Sequence, residues 1–331
     1  MAALSCYFDK RITLAAGIST SGVGVGNLIY PPLIRWLITA YDWKQSFLIL
    51  DAVSLNMCAL GLLIRPVKRN EINQNQTLLD LSPFKKLGYI MVCVNIFLSC
   101  CGLSVLFIHV VAYGEQMGMD PDKSALLISG LGIANLLGHL GYGVIAQHPR
   151  VNIFILYSVS FLLSGVCICL VPVFSSFPVL MTCSIIFGAL SGCYGTLLVK
   201  ILIDLLGLHQ FSNGYGCLLL LMAAGQVIGP SVAGAIIDVT YSYTAAFVLG
   251  GAMVILSAFA VIQPYFYVKN RQRAEEENSV PERVSLTDDG TVTKILQMYR
   301  DYDLLREYHV SVIILENQLR RQVSHTKERH S

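Results

Sequence analysis

Eight apolar stretches, each long enough to cross a bilayer, follow one another along this chain, beginning near Ile12, Ser46, Leu87, Ser124, Val151, Phe177, Ser212 and Tyr243. A hydrocarbon core about 30 Å thick takes roughly 20 residues of helix. A backbone inside it must satisfy its own hydrogen bonds, which leaves helices for runs of this length. The stretches predict an all-α polytopic membrane protein in contact with lipid on most sides. Hydrophobic residues make up 54% of the chain and charged ones 13%, about half the charge of a soluble domain. The net charge of +2 gives no surface for nucleic acid, because the bases sit in short loops. Nine of the ten cysteines lie inside apolar stretches, which marks them as packing residues rather than a disulfide framework.

The loops alternate in charge. Arg65, Lys68, Arg69, Lys85 and Lys86 share one loop, Lys10 and Arg11 precede the first stretch, Arg150 sits in a turn, and Lys269, Arg271 and Arg273 open the tail. The loops between these are poor in bases. Positive charge marks the cytosolic side, so both ends are expected in the cytosol, as an even number of spans requires. Asn75-Gln76-Thr77 is a glycosylation sequon by pattern but falls in the most basic loop, so it is read as chance. Met1 to Lys10 hold no basic segment followed by an apolar core, and no cleavable leader is expected there. Four regions follow: residues 1–65 with two spans, a cytosolic loop at 66–86, six spans at 87–268, and a charged cytosolic tail at 269–331. Within the tail, Lys294–Val323 has the composition of a short helix.

Small residues recur inside the spans. Gly22 and Gly26, Gly188 and Gly192, and Gly225 and Gly229 form GxxxG pairs, which let helix backbones approach closely. Pro31-Pro32 and Pro230 predict kinks. Ionisable residues at membrane depth cost free energy unless they face a cavity or a partner; the candidates are Asp51, His109, His139, Lys200 and Asp204. Arg35 and Asp238 lie near span ends, where they reach water or cap a helix. Lys200 and Asp204 are four apart on one helix face, as a self-satisfied pair or as a substrate or gating pair. Asn135 and His139 are also four apart, on a glycine-rich span. They are a polar stripe along an aqueous path or a contact between helices, and His139 brings an imidazole, whose charge changes near neutral pH. His109 is expected at an interface. No HExxH, GxSxG, P-loop or CxxC appears, which speaks against a zinc protease, a serine hydrolase or an ATP-driven pump. No enzyme activity and no cofactor are expected.

The run Tyr7-Phe8-x-Lys10-Arg11-x-x-Leu14-Ala15-x-Gly17, followed by Gly22 and Gly26, resembles the signature of the monocarboxylate-transporter family of the major facilitator superfamily. Trp43-Lys44-Gln45-Ser46-Phe47-Leu48-Ile49-Leu50, Arg65-Pro66, Asp204-Leu205-x-Gly207 with Phe211-Ser212 and Gly216, and Gly229-Pro230 with Gly234 and Asp238 resemble its later motifs in order and spacing. The resemblance covers about residues 1–268. It implies a partial major-facilitator fold whose eight transmembrane helices correspond to helices 5–12, with the first four helices and their lysine missing. It implies a plasma-membrane carrier of small organic solutes working by alternating access. Proton coupling and, for some members, a single-span immunoglobulin-like chaperone subunit belong to the same expectation.

In the proton–lactate branch, helix eight carries an aspartate and, four residues on, an arginine that binds the substrate carboxylate. Those positions here are Asn135 and His139, and an imidazole does not give the bidentate clamp of a guanidinium. Lys200 stands where a glutamate is usual. Phe187 matches an aromatic of helix ten that lines the cavity, with lipid-facing packing as the alternative. The resemblance thus nominates Asn135, His139, Phe187 and Lys200 for the solute, and Asp204, Lys10 and Arg11 for coupling or gating. The departures favour a larger or zwitterionic solute, such as an amino-acid derivative, over lactate. The other expectation is a non-transporting truncated membrane protein that associates with a full-length transporter.

Overall fold

The computed structural model describes residues 11–62, 82–174 and 176–279, without the side chains of His209 and of residues 272–279. Lys10, the sequon, most of the basic loop and the tail beyond Ser279 lie outside the described residues. The chain divides into two compact units, residues 1–272 and 273–331. The first holds the membrane helices. Of the second, only the last turns of one helix are described.

The described elements are helical: α1 (Ile12–Leu62), α2 (Leu87–Gln116), α3 (Pro121–Ile145), α4 (Ile153–Leu170), α5 (Phe177–Ser191), α6 (Cys193–Leu206), α7 (Leu208–Thr240), α8 (Tyr243–Ala260) and α9 (Ile262–Ser279), with short 3-10 turns at Ser82–Lys85 and Val171–Val173. Seven continuous stretches among them are long and apolar enough to cross a membrane. The first, α1, has 51 residues, which amounts to about 75 Å of helix, more than twice the bilayer core. It breaks at Asp42, whose φ of 67° and ψ of 158° are not helical. The two parts are the spans expected from Ile12 and Ser46, so the expected eight segments and the seven continuous stretches agree.

Helix starts follow local chemistry rather than the first apolar residue. Asp120 accepts from the Asp122 amide at 3.1 Å, with Pro121 in the first helical position of α3. Asn152 caps α4 through the Phe154 and Ile155 amides, and Ser242 caps α8 through Thr244. These side chains satisfy orphan N–H groups, and α3 consequently begins three residues before the expected Ser124. The expected Phe177 span divides at Gly192 into α5 and α6. After α8 the chain is helical again from Ile262 past Val268 to Ser279, as α9.

Within the first unit, α3 packs between α1 and α5, α2 packs against α7 and α8, and α4 against α8. Buried Asn95 joins the second group. It donates to the Ser257 carbonyl at 2.8 Å and accepts from the Tyr157 hydroxyl at 3.0 Å, so α2, α4 and α8 share one satisfied polar contact. The α1–α3 contact is an antiparallel seam. Gly143 faces Thr13 and Leu14, Gly17 faces the His139 carbonyl, Gly24 faces Leu136, and Gly132 faces Asn27 and Leu28. A Cβ on Gly17 would come within 2.6 Å of that carbonyl, so the backbones touch there because no side chain intervenes.

Of the three expected GxxxG pairs, Gly188–Gly192 lies against α3 and Gly225–Gly229 against Cys100 and Cys101 of α2. Among the described residues Gly22–Gly26 does not serve as a contact: none lies within 4 Å of a Cβ on Gly22, and Gly26 meets only the ring of Tyr30. Gly17 and Gly24, seven residues apart, take that role on the neighbouring face. The nine described cysteines are free thiols. At the end of the bundle that carries Lys86, burial and then the nearby Arg271 guanidinium pull the Lys86 ammonium below the usual lysine range.

Candidate functional site

The polar groups on α3 meet three other helices. His139, 4% exposed, places Nδ1 3.0 Å from Thr20 Oγ1 of α1 and 3.0 Å from Thr196 Oγ1 of α6. The two hydroxyls are 3.2 Å apart, and Thr20 also donates to the Ala16 carbonyl at 2.8 Å. With its proton on Ala16, Thr20 acts as acceptor within the trio, from the imidazole or from Thr196. The trio is a neutral hydrogen-bonded node. Gly192 permits it, because a Cβ there would stand 2.6 Å from the His139 amide nitrogen.

One turn away, Asn135 is also buried. Its Nδ2 donates to the Gly188 carbonyl at 3.3 Å and to Ser191 Oγ at 3.0 Å. Its Oδ1 has no hydrogen-bond partner among the described residues. A buried amide oxygen without a donor is costly, and Asn135 Oδ1 is an acceptor ready for an incoming N–H or O–H.

On α6 the polar line continues. Thr196, Lys200 and Asp204 follow at intervals of four, about 6 Å apart along one helix face. Lys200 Nζ lies 3.0 Å from Asp204 Oδ1, with side chains 37% and 24% exposed. The pair is formed within the helix and is partly exposed. Phe187 is fully buried and stands edge-on to Phe107 of α2, with centroids 5.4 Å apart. It faces the core between α2 and α5, not lipid. Arg11 is exposed at the start of α1. His109 Nε2 lies 3.3 Å from the Pro230 carbonyl of α7, and its ring is edge-on to Tyr243 of α8.

The structure thus joins His139 to α1 and α6, sets Asn135 against α5, and leaves Phe187 and Arg11 apart from both. Thr20, Thr196 and Ser191 were not singled out from the sequence. Thr196 had a signal: it stands four residues before Lys200. Arg35, read as reaching water or capping a helix, is half exposed and also bonds Asp122 of α3 at 2.8 Å, closing the far end of the α1–α3 seam, and a cleft of about 390 Å³ opens around this pair. Among the described residues no group of three histidine, cysteine or acidic side chains is placed to hold a metal ion.

The sequence matches the family model of the Major Facilitator Superfamily over residues 1–158 and 150–315. It is 28% identical over 288 residues to Monocarboxylate transporter 12 of Mus musculus, covering 76% of this chain and 59% of that protein. It is 29% identical over 278 residues to Monocarboxylate transporter 13 of Rattus norvegicus, covering 81% and 63%. Against Monocarboxylate transporter 4 of Mus musculus it is 30% identical over 294 residues, covering 85% and 62%. The chain spans about three-fifths of the length of these curated relatives.

Proposed function

We propose, from the premise that this chain belongs to the major facilitator superfamily and is a multi-pass membrane protein of the monocarboxylate-transporter kind, that it forms part of a carrier for small organic solutes. The solute is a carboxylate that also bears a polar or cationic group, and it moves by alternating access at the plasma membrane, with both chain ends in the cytosol. Asn135, His139, Phe187 and Lys200 contribute to the solute side. Asp204, Lys10 and Arg11 contribute to coupling or gating, with a proton as the coupled ion and a single-span chaperone as an ancillary subunit. No bond is made or broken in the solute.

The observation that carries this reading is the Thr20–His139–Thr196 node. It ties α1 to α3 and α6, helices that the family resemblance assigns to opposite halves of the carrier. A contact between halves has to break and re-form as the halves rock, and neutral hydrogen bonds of this kind are weak enough in a membrane to do so. The test is radiolabelled uptake of lactate, creatine, carnitine and aromatic amino acids into cells expressing this chain, or the chain extended upstream, at matched surface levels. Uptake of the preferred solute is expected to fall by about tenfold or more in His139→Ala and Lys200→Gln, the loss of one hydrogen bond to a charged group. Unchanged uptake in both variants removes these residues from the site.

A second reading has one observation in its favour. Every residue from Asp51 to Leu62 is exposed, including Leu55 at 68% and Met57 at 73%. A span with such bare sides suits a chain that associates with a full-length transporter and does not itself transport. Co-expression separates the two: recovery of the full-length relative with this chain, and no uptake by the chain alone, supports the second.

A further inference from the structure

Arg35 and Asp122 face each other from two helices, and neither is buried: their side chains are 51% and 82% exposed. An exposed ion pair contributes little to stability and opens readily. The cleft around it, about 390 Å³, is lined from α1 by Pro32, Arg35, Trp36 and Thr39 and from α3 by Asp122 and Ser129. That volume falls in the range of small-molecule sites, about 300–1,000 Å³. We propose that this cleft is a binding site for a small zwitterion, which inserts between the paired side chains with its carboxylate on Arg35 and its ammonium group on Asp122.

The chemistry selects this class. A guanidinium offers a planar fork of N–H donors that matches a carboxylate. An ionised carboxylate side chain only accepts, so it takes an ammonium group. A simple carboxylate that displaces Asp122 from Arg35 leaves Asp122 without its partner and facing a like charge. A simple cation leaves Arg35 in the same condition. Only a solute carrying both charges replaces both halves of the pair it opens, so discrimination comes from the penalty on the wrong ligands as much as from attraction to the right one. Trp36, 60% exposed and edge-on to Tyr41, supplies an aromatic face that suits the cationic end. Thr39 Oγ1 already donates to the Arg35 carbonyl at 2.9 Å, which holds the hydroxyl one turn beyond the guanidinium with its lone pairs available.

The site is separate from the His139 node: Asp122 and His139 lie about 25 Å apart along α3. The proposal takes its biological sense from the transporter reading, but its test reads binding and not flux, so either can fail alone. The chain has two tryptophans, Trp36 and Trp43. Trp43→Phe therefore leaves Trp36 as the sole indole and a direct reporter of the cleft.

The purified full chain carrying Trp43→Phe, in lipid nanodiscs, is titrated at constant ionic strength with β-alanine, propionate and propylammonium, three probes of one size. A saturable fluorescence change is expected with β-alanine, at a Kd at least about tenfold lower than for either singly charged probe. Arg35→Gln and Asp122→Asn are each expected to abolish that preference, while Arg150→Gln leaves it intact. Circular dichroism of each variant checks that the exposed substitutions keep the helices. Equal affinity for the three probes overturns the proposal. So does a β-alanine response that survives both charge-neutralising variants, or the absence of any saturable response in the folded protein.

Discussion

Thr20 and Thr196 are 176 positions apart in the chain and 3.2 Å apart in space, with the His139 imidazole touching both. The two hydroxyls share one imidazole nitrogen and also touch each other, so the cost of deleting one depends on whether the other is present. Thr196→Val is expected to destabilise the protein by roughly 0.5–1.5 kcal/mol, the usual scale for a hydrogen bond between membrane helices. The cycle of Thr20→Val, Thr196→Val and the double variant, read by reversible unfolding in mixed micelles, should be non-additive; strict additivity would mean that the threonines do not share a contact. The Lys200–Asp204 pair was legible in the sequence because helical periodicity alone brings i and i+4 together. The node was not. A threonine in a membrane helix commonly satisfies itself on its own backbone, as Thr20 does on Ala16. Nothing local distinguishes one whose lone pair also reaches a helix 119 residues away.

For whole helices, the existence of each span was readable from the length of its apolar run; its face, and the division into α5 and α6 at Gly192, were not. Gly22 and Gly26 fit the spacing of a contact motif, yet the face turned to α3 carries Gly17 and Gly24. A rotation of α1 by a fraction of a turn decides between them, and that rotation depends on shapes supplied by α3. Gly188→Val, which would set a side chain against the Leu131 carbonyl, is expected to cost about 2–3 kcal/mol. Gly22→Val, in open space, should stay within about 0.5 kcal/mol of the parent. Thermal unfolding of the two variants side by side checks the assignment of faces, and a reversed order would refute it. The break in α1 offers a second check on an element. Asp42 holds a conformation that belongs almost only to glycine, at roughly 1–3 kcal/mol of strain. Asp42→Gly relieves that strain and gives back part of the gain in unfolded-state entropy, so a net stabilisation of about 1 kcal/mol is expected from the same unfolding measurement.

Across the whole first unit, the sequence resemblance anticipated the helical order, while the contacts that join the two groups of helices became visible only in three dimensions. The seam between α1 and α3 has a stiff middle, where glycines put backbone against backbone, and a soft end, where the exposed Arg35 and Asp122 side chains meet. Spin labels on exposed Ser19 and Leu140, beside the stiff middle, should report a narrow distance distribution by pulsed electron spin resonance. Labels on exposed Thr39 and Lys123, at the soft end, should report one several ångströms broader. Equal widths would mean that the seam yields uniformly.

Backbone-to-backbone contact has a mechanical consequence. Side chains absorb small shifts by changing rotamer; a glycine seam has no such slack, so relative motion of α1 and α3 takes the form of a tilt about the place where they are pinned. Measured from the Gly17–His139 backbone contact, Asp122 sits at the end of a lever about 25 Å long. A tilt of about 10° then displaces it by about 4 Å over that length, enough to part it from Arg35. A change too small to disturb the packed centre is thereby magnified at the rim.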